Sequence, residues 1–348
     1  MQVHLVLPGL LWPGKALHDT AFDLELPALS RLLGRGRCNW QASLPTETWL
    51  CREFGILTEE PPAAALRLLG EGGAPGDEFW LCADPAHLKF EQGRLTLAGD
   101  RLCISESEMR QIVHAASPHF AAHLPGFAEF VAGTDGRHAY LRLKASPQIT
   151  TTPYSAAVGR SIQSALPCGP QAQRWLHLAN ELQMLLHALP GNQGRETQGL
   201  PALNTLWFWG AGFLPERLPS TGNRYDAILS RASSDNALLK GISAWAGMPM
   251  QELPQSAAKL PRLGNMLLFL DELHLPAQEL DANIWRDALL EIERDWLAPL
   301  LAALASGGIT RLRLSALGEE ACLDVHLKRR DLLKFWRRPL ALHQLAPP

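Results

Sequence analysis

Apolar residues recur along the chain in two rhythms: short runs of four or five, and longer stretches where they return every three or four positions. The short runs His4–Leu7, Phe79–Cys82, Ala139–Leu143, Thr205–Trp209, Asp226–Leu229, Met266–Leu270 and Thr310–Leu314 predict buried strands. Helical spacing predicts helices over Leu26–Leu33, Ser105–Ala116, Trp175–His187, Asn236–Trp245 and Ile284–Leu304. In the last of these, Trp285, Leu289, Ile292, Trp296, Leu300 and Leu304 form one stripe. Pro8-Gly9 closes the first apolar run and reads as a turn. From Thr205 onward strands alternate with helices, the pattern of a mainly parallel sheet covered on both faces. The expected fold class is therefore α/β.

In such a sheet ligands bind at the carboxyl ends of the strands. Three places qualify: Pro8–Gly14, Gly210–Pro215 and Asp271–Pro276. The polar stretches Glu59–Pro62 and Pro190–Thr197 read as hinges between a core and an insert. Composition narrows the function classes. With 47% hydrophobic residues in 348 and a formal net charge of −3, a large core is easily buried. No overall basic field exists to hold nucleic acid or an anionic membrane. The six cysteines are scattered without a CxxC pair, which reads as reduced, mostly buried thiols. Met1–Leu11 lacks the basic segment and cleavage site of a secretory leader, and no apolar run reaches the roughly 18–20 residues of a membrane span. The expected location is the cytoplasm.

Several polar groups invite a chemical reading beside a plain one. Arg137 and His138 suit anion recognition or a structural pair. Asn192 and Arg195 suit the grip of a phosphate or carboxylate, since arginine offers a two-pronged donor, or a solvated hinge loop. Asp84 and His87 flank Pro85 and read as a surface turn. Asp271, Glu272 and His274 form the densest ligand-like cluster; on a strand only Glu272 and His274 would share a face and meet one metal ion. Gly210-Ala-Gly212 lacks the Lys and Ser of a P-loop and reads as a tight turn beside an aromatic strand. The basic segments Lys328–Arg330 and Arg337-Arg338, with Phe335 and Trp336 between them, read as a terminal amphipathic helix laid on the core.

Taken in order, the strand ends carry a resemblance. Val3–Leu11, Leu26–Gly34, Pro75–Asp84, Gly136-Arg-His138 and the long block from His187-Ala-Leu-Pro-Gly-Asn192 through Leu206-Trp-Phe-Trp-Gly-Ala-Gly212 appear in this sequence. Together with Lys240-Gly-Ile242 they resemble the archaeal-type cofactor-independent phosphoglycerate mutases of the alkaline phosphatase superfamily. Ala83–Leu88 resembles a proteobacterial branch often labelled RpfE-type regulatory proteins. The resemblance implies an alkaline-phosphatase-like, mostly parallel sheet sandwiched by helices. Its core would comprise residues 1–70 and 190–348, with a smaller α/β subdomain inserted at 71–189.

The resemblance also implies a chemistry: two divalent metals such as Mn or Mg, and a nucleophilic hydroxyl that they activate. Thr46, in Pro45-Thr-Glu-Thr48, stands at the nucleophile position; read from the residues alone, Thr46 and Glu47 make a helix start with an acidic first turn. Where the family places metal ligands, this chain has Pro8 and Ala316-Leu317, while His326 stands near the position of the last histidine. Neither proline nor an aliphatic side chain coordinates a metal. The expectation is a degenerate, catalytically inactive relative without metal cofactors that binds a phosphorylated small molecule or a protein partner, and neither nucleic acid nor membrane. Arg137, His138, Asn192 and Arg195 would line what remains of the pocket. An active mutase or phosphotransferase with a rearranged site is the first alternative, and a pure interaction module built on exposed tryptophans the second.

Overall fold

The computed structural model describes residues 1–91, 93–99, 102–134, 136–217, 224–231, 236–261 and 264–346. The strands of the first half are β1 Gln2–Leu11, β2 Arg37–Ala42, β3 Phe79–Ala86, β4 Leu88–Glu91, β5 Arg94–Leu97, β6 Phe127–Ala132 and β7 Ala139–Leu143. Those of the second half are β8 Thr205–Gly212, β9 Ala227–Ser230, β10 Met250–Glu252, β11 Met266–Phe269, β12 Arg311–Gly318 and β13 Ala321–Lys328. The helices up to residue 187 are α1 Gly14–Ala21, α2 Pro27–Arg35, α3 Thr46–Glu53, α4 Ala63–Gly70, α5 Glu106–His123, α6 Tyr154–Ala157 and α7 Ala172–His187. They are followed by α8 Pro190–Thr197, α9 Ala237–Ala246, α10 His274–Glu279, α11 Ala282–Ile292 and α12 Ala298–Ser306.

The chain forms two compact units, one of residues 1–46, 219–233 and 247–348, the other of residues 47–218 and 234–246. The first unit is built on a seven-stranded sheet in the order β10-β9-β11-β1-β12-β13-β2. Its strands from β10 to β12 run parallel, and β13 and β2 complete it antiparallel. This is the mostly parallel α/β sheet that the alternation of elements requires. β1 lies in its interior, and from Val3 to Leu11 every residue is buried. On one face Val3, Leu5 and Leu7 pack with Leu29, Trp285 and Leu289.

Pro8-Gly9 is not a turn, contrary to expectation. The strand runs on to Leu11, and the irregularity is a shift in register against β12 between Pro8 and Leu11, which accommodates a residue that has no N–H to pair. Gly9 has φ +80°, and a Cβ there would lie 2.4 Å from the Leu273 carbonyl oxygen.

The predicted stripe from Trp285 to Leu304 is buried throughout, but its helix is interrupted. A π-helical turn, Glu293–Leu297, separates α11 from α12. Ala298 N–H reaches back five residues to the Glu293 carbonyl, and the next residue, Pro299, has no N–H with which to continue an ordinary ladder. The Glu293 carboxylate accepts the main-chain N–H groups of Ala28 and Leu29 at 2.5 and 3.1 Å. It thereby serves the start of α2, where Leu26 supplies no side-chain cap.

The second unit contains a four-stranded sheet, β6-β7-β3-β8, whose neighbours are all antiparallel. Here β8 departs from the reading that placed it in the core sheet: it pairs with β3, Trp209 opposite Cys82 and Trp207 opposite Asp84. The unit boundaries near 46 and 218 accordingly differ from those expected at 70 and 190. Ser105 caps α5 in a reciprocal arrangement with Glu108, and the helix continues through Pro118 to His123, seven residues beyond its predicted end. Ile112, Ala116 and Phe120 of α5 share a core with Trp175, Leu178 and Leu182 of α7, against Leu81 and Phe208 of the sheet.

Three smaller expectations are corrected. Cys38, Cys103 and Cys168 are exposed, so only half of the thiols are buried. The C-terminal basic segment is a short 3-10 turn, Arg329–Leu333, and leaves Phe335 and Trp336 82% and 67% exposed rather than packed on the core. Trp336 is thus the only exposed tryptophan among the described residues, too few for a tryptophan-built contact surface. No helix among the described residues is long and apolar enough to cross a membrane.

In the second unit α4 and α9 touch backbone to backbone. A Cβ on Gly241 would stand 1.7 Å from the Leu66 carbonyl oxygen. Gly241→Ala should force the two helices apart and destabilise the protein by about 2–3 kcal/mol, visible as a lower midpoint in denaturant unfolding.

Candidate functional site

A parallel sheet offers its ligand site at the carboxyl ends of its strands, and here the facing ends of β1 and β12 are formed by apolar side chains. Leu7 lies opposite Ala316 and Pro8 opposite Leu317 across the β1–β12 pair, and Leu10, Leu11 and Trp12 beyond them are also buried. Next along the edge, β11 ends at Phe269, and Asp271–Leu273 form a turn leading into α10. The strand on which Glu272 and His274 were expected to share a face therefore does not exist at these residues. Glu272 instead pairs with the Arg231 guanidinium, which supplies one carboxylate oxygen with the positive charge a metal ion would otherwise bring. His274 heads α10, and burial lowers its pKa to about 4. Thr46 opens α3, with Glu47 in the first turn. Glu47 accepts a hydrogen bond from Ser155 Oγ at 2.5 Å, and burial pushes its carboxyl up.

A polar chain runs across one face of the same sheet, and sequence reasoning did not find it. His4 Nδ1 meets the Tyr225 hydroxyl at 2.6 Å, and His4 Nε2 meets Ser315 Oγ at 2.7 Å. Ser315 donates to Asp324, directly opposite it on β13. Arg313 and Gln41 donate to the other Asp324 oxygen at 2.8 and 3.0 Å. His4, Ser315 and Asp324 are at most 5% exposed. The serine stands between histidine and aspartate, with its proton directed to the carboxylate, so it is not a nucleophile activated by a base. The signal in the sequence was a polar residue at each of His4, Ser315 and Asp324 with apolar residues on both sides. Burial holds the His4 pKa well below its usual value, and the Arg313 charge acts in the same direction.

In the second unit the candidate donors are directed inward. Asn192 and Arg195 lie on α8, not on a polar hinge loop. Asn192 Nδ2 donates to the carbonyls of Leu186 and Leu203 at 2.7 and 2.9 Å, and its Oδ1 accepts Leu203 N–H at 2.7 Å. Arg195, its side chain 3% exposed, donates to Pro201 O, Cys103 O and the Glu108 carboxylate. His138 donates to Glu71 at 2.9 Å, and Arg137 beside it is exposed. Asp84 is not at a surface turn: it sits within β3, gripped by Arg67 at 2.7 and 3.1 Å and by Trp209 Nε1 at 2.8 Å. Burial opposes its ionisation, yet Arg67, His138 and Trp209 together hold the carboxyl below its usual range. His87 Nδ1 is occupied by Ala202 O at 2.8 Å. Gly210 and Gly212 lie within β8, close against Ala63 and Pro62, and form no loop for a phosphate.

No family model matches the chain. Curated proteins do. A 2,3-bisphosphoglycerate-independent phosphoglycerate mutase from Ignicoccus hospitalis is 29% identical over 197 residues, 54% of this chain and 46% of that protein. The probable enzyme of the same description from Geobacter sulfurreducens is 29% identical over 120 residues, 34% of this chain and 30% of that one. One from Methanosarcina barkeri is 30% identical over 104 residues, 29% and 25% of the two chains. Its relatives are phosphoglycerate mutases. The matched stretches span less than half the length of each of these relatives. Among solved structures, the PH0037 protein of Pyrococcus horikoshii superposes over 96% of this chain and 92% of its own, with a TM-score of 0.51 at 14% identity. That likeness shows a shared α/β fold. A cofactor-independent phosphoglycerate mutase from Thermoplasma acidophilum covers 99% and 94% at 16% identity with a TM-score of 0.48.

The two hard divalent ions that the mutase resemblance implies require several carboxylate and imidazole donors around one point. Pro8, Ala316 and Leu317 offer none, and Glu272 holds Arg231 with one carboxylate oxygen while the other, buried, has no hydrogen-bond partner. At the ends of β1 and β12, therefore, the residues present do not fit the ligand positions of a two-metal centre.

Two measurements check the assignments. Arg195→Ala strips partners from Glu108 and two main-chain carbonyls and should cost about 2–4 kcal/mol of stability in denaturant unfolding. A ligand-binding surface arginine would leave stability unchanged. Protonating His4 costs the folded state more than the unfolded chain. As pH falls below about 6.5, the unfolded chain takes the proton first and stability declines, by up to about 1.4 kcal/mol per pH unit per histidine. Half-buried His274, its pKa lowered to about 4, adds a slope of the same sign. His4→Gln should flatten the fall between pH 6.5 and 5 by about one proton's worth, read from urea midpoints.

Proposed function

We propose that this chain is a phosphoglycerate mutase-like protein that does not carry out metal-assisted phosphoryl transfer and acts by binding, in a regulatory role like that of the RpfE-type branch its Ala83–Leu88 segment resembles. Its partner on this reading is a protein or a phosphorylated small molecule. The observation that carries the proposal is the register at the centre of the sheet, which sets Pro8 beside Leu317 and Leu7 beside Ala316 where the mutase resemblance calls for metal ligands. Without cations the Thr46 hydroxyl has nothing to lower its pKa, and phosphoryl oxygens have nothing to neutralise them in flight. The names of the relatives favour the other reading, an active mutase with a rearranged site.

One assay separates the two readings. The purified protein, supplied with Mn²⁺ or Mg²⁺ and 3-phosphoglycerate, should show no interconversion to 2-phosphoglycerate above background, and Thr46→Ala should change nothing. Elemental analysis after Mn²⁺ loading should find less than one Mn²⁺ per chain. Mn²⁺-dependent turnover that Thr46→Ala abolishes would overturn the proposal.

A further inference from the structure

Outside the strand ends, the described residues bring three metal-ligating side chains together at a single place. His119 and His123 lie one helical turn apart on the last part of α5, on the same face. Glu181 lies on α7, with His177 one turn before it. The ligand atoms of His119, His123 and Glu181 all fall within 4.8 Å of one another. The two helices that present them are held by a common core, Ala116 and Phe120 from one and Trp175, Leu178 and Leu182 from the other. The donors therefore stand on rigid elements rather than on loops.

The hydrogen-bonding state of Glu181 points to a ligand. Its Oε2 is buried and has no hydrogen-bond partner; the nearest ion-pair contact is His123 Nε2 at 3.8 Å. Its Oε1 faces His177 Nε2 at 3.2 Å. A carboxylate oxygen shut from water without a partner is costly, and a cation between it and the two imidazoles would remove that cost. We infer that this face of α5 and α7 is a binding site for one divalent transition-metal ion of the zinc class, held by His119, His123 and Glu181.

The donor chemistry sets the class of ion. Two imidazoles and one carboxylate suit Zn²⁺, and Co²⁺ or Ni²⁺ in its place, whereas Mn²⁺ and Mg²⁺ favour oxygen-rich sets. In a tetrahedral zinc site the ligand atoms lie about 3.3 Å apart, from bond lengths near 2.0–2.1 Å. Side-chain rotation closes the remaining gap, since His123 and His177 are both exposed. His177 or water completes the four ligands. The site is independent of the strand-end reading, because none of its residues belongs to the core sheet.

The experiment is a calorimetric titration of the metal-stripped, reduced protein with Zn²⁺, alongside the His119→Ala/His123→Ala double variant and Glu181→Gln. Wild type should take up one Zn²⁺ per chain and melt at a higher temperature when loaded. The double variant should bind at least about 100-fold more weakly and lose the thermal shift, and Glu181→Gln should bind about 10-fold or more weakly. Mn²⁺ should not compete at equal concentration. Three outcomes overturn the site: no stoichiometric Zn²⁺ uptake by wild type, a double variant within about 10-fold of wild type, or a Glu181→Gln variant indistinguishable from it. The second result would place the ion on the exposed thiols of Cys38, Cys103 or Cys168 instead.

Discussion

The first unit depends on one constraint: β1 is covered on both faces and flanked on both edges. With β11 on one side and β12 on the other, its main-chain groups are paired along the ladder, and its side chains meet protein on either face. A strand so placed is stable only if its side chains are apolar or bring their own partners. From this follow the packing of Val3, Leu5 and Leu7 against α2 and α11 and the run of buried residues up to Leu11. It also accounts for the bulge at Pro8, the one way a residue without an N–H fits an interior strand.

The same constraint explains where the polar residues went. His4, Ser315 and Asp324 interrupt three adjacent strands, and strand register brings them to one face, where each satisfies the next. In the second unit the Arg67–Asp84 pair is enclosed by Trp209 and Tyr140, with the guanidinium 5.2 and 5.5 Å from the two ring centres. Both networks have the perturbed ionisation often found in active sites. In both, the histidine, serine and carboxylates find their partners within the protein, and His4, Ser315, Asp324, Arg67 and Asp84 are all buried. The perturbed ionisation reflects burial at His4 and ion pairing at Asp84, not chemistry held ready for a substrate.

The candidate site was legible only in part. That Pro8 and Ala316-Leu317 offer no ligand follows from their side chains, and the register then sets them beside one another. The roles of Asn192 and Arg195 were not legible, because whether a polar side chain turns to solvent or to a carbonyl is decided by elements distant in sequence. Arg195 meets Cys103 and Glu108 only because α8 packs near the start of α5. Likewise Glu272 reads as a metal ligand until Arg231, forty-one positions earlier, is seen against it.

What the sequence by itself determined is the set of buried elements: the apolar runs of β1, β7 and β11, the start of α5 near Ser105 and the stripe from Trp285 to Leu304. Hydrophobic spacing is local, so it survives without knowledge of the fold. Tertiary structure alone decided three things. It gave β8 to the second unit, because an apolar strand carries no label for its partner. It extended α5 through Pro118, where packing on α7 outweighs the proline's local penalty and carries His119 and His123 to Glu181. And it closed the polar residues into pairs, because a hydrogen bond depends on distance in space, which spacing along the chain does not encode.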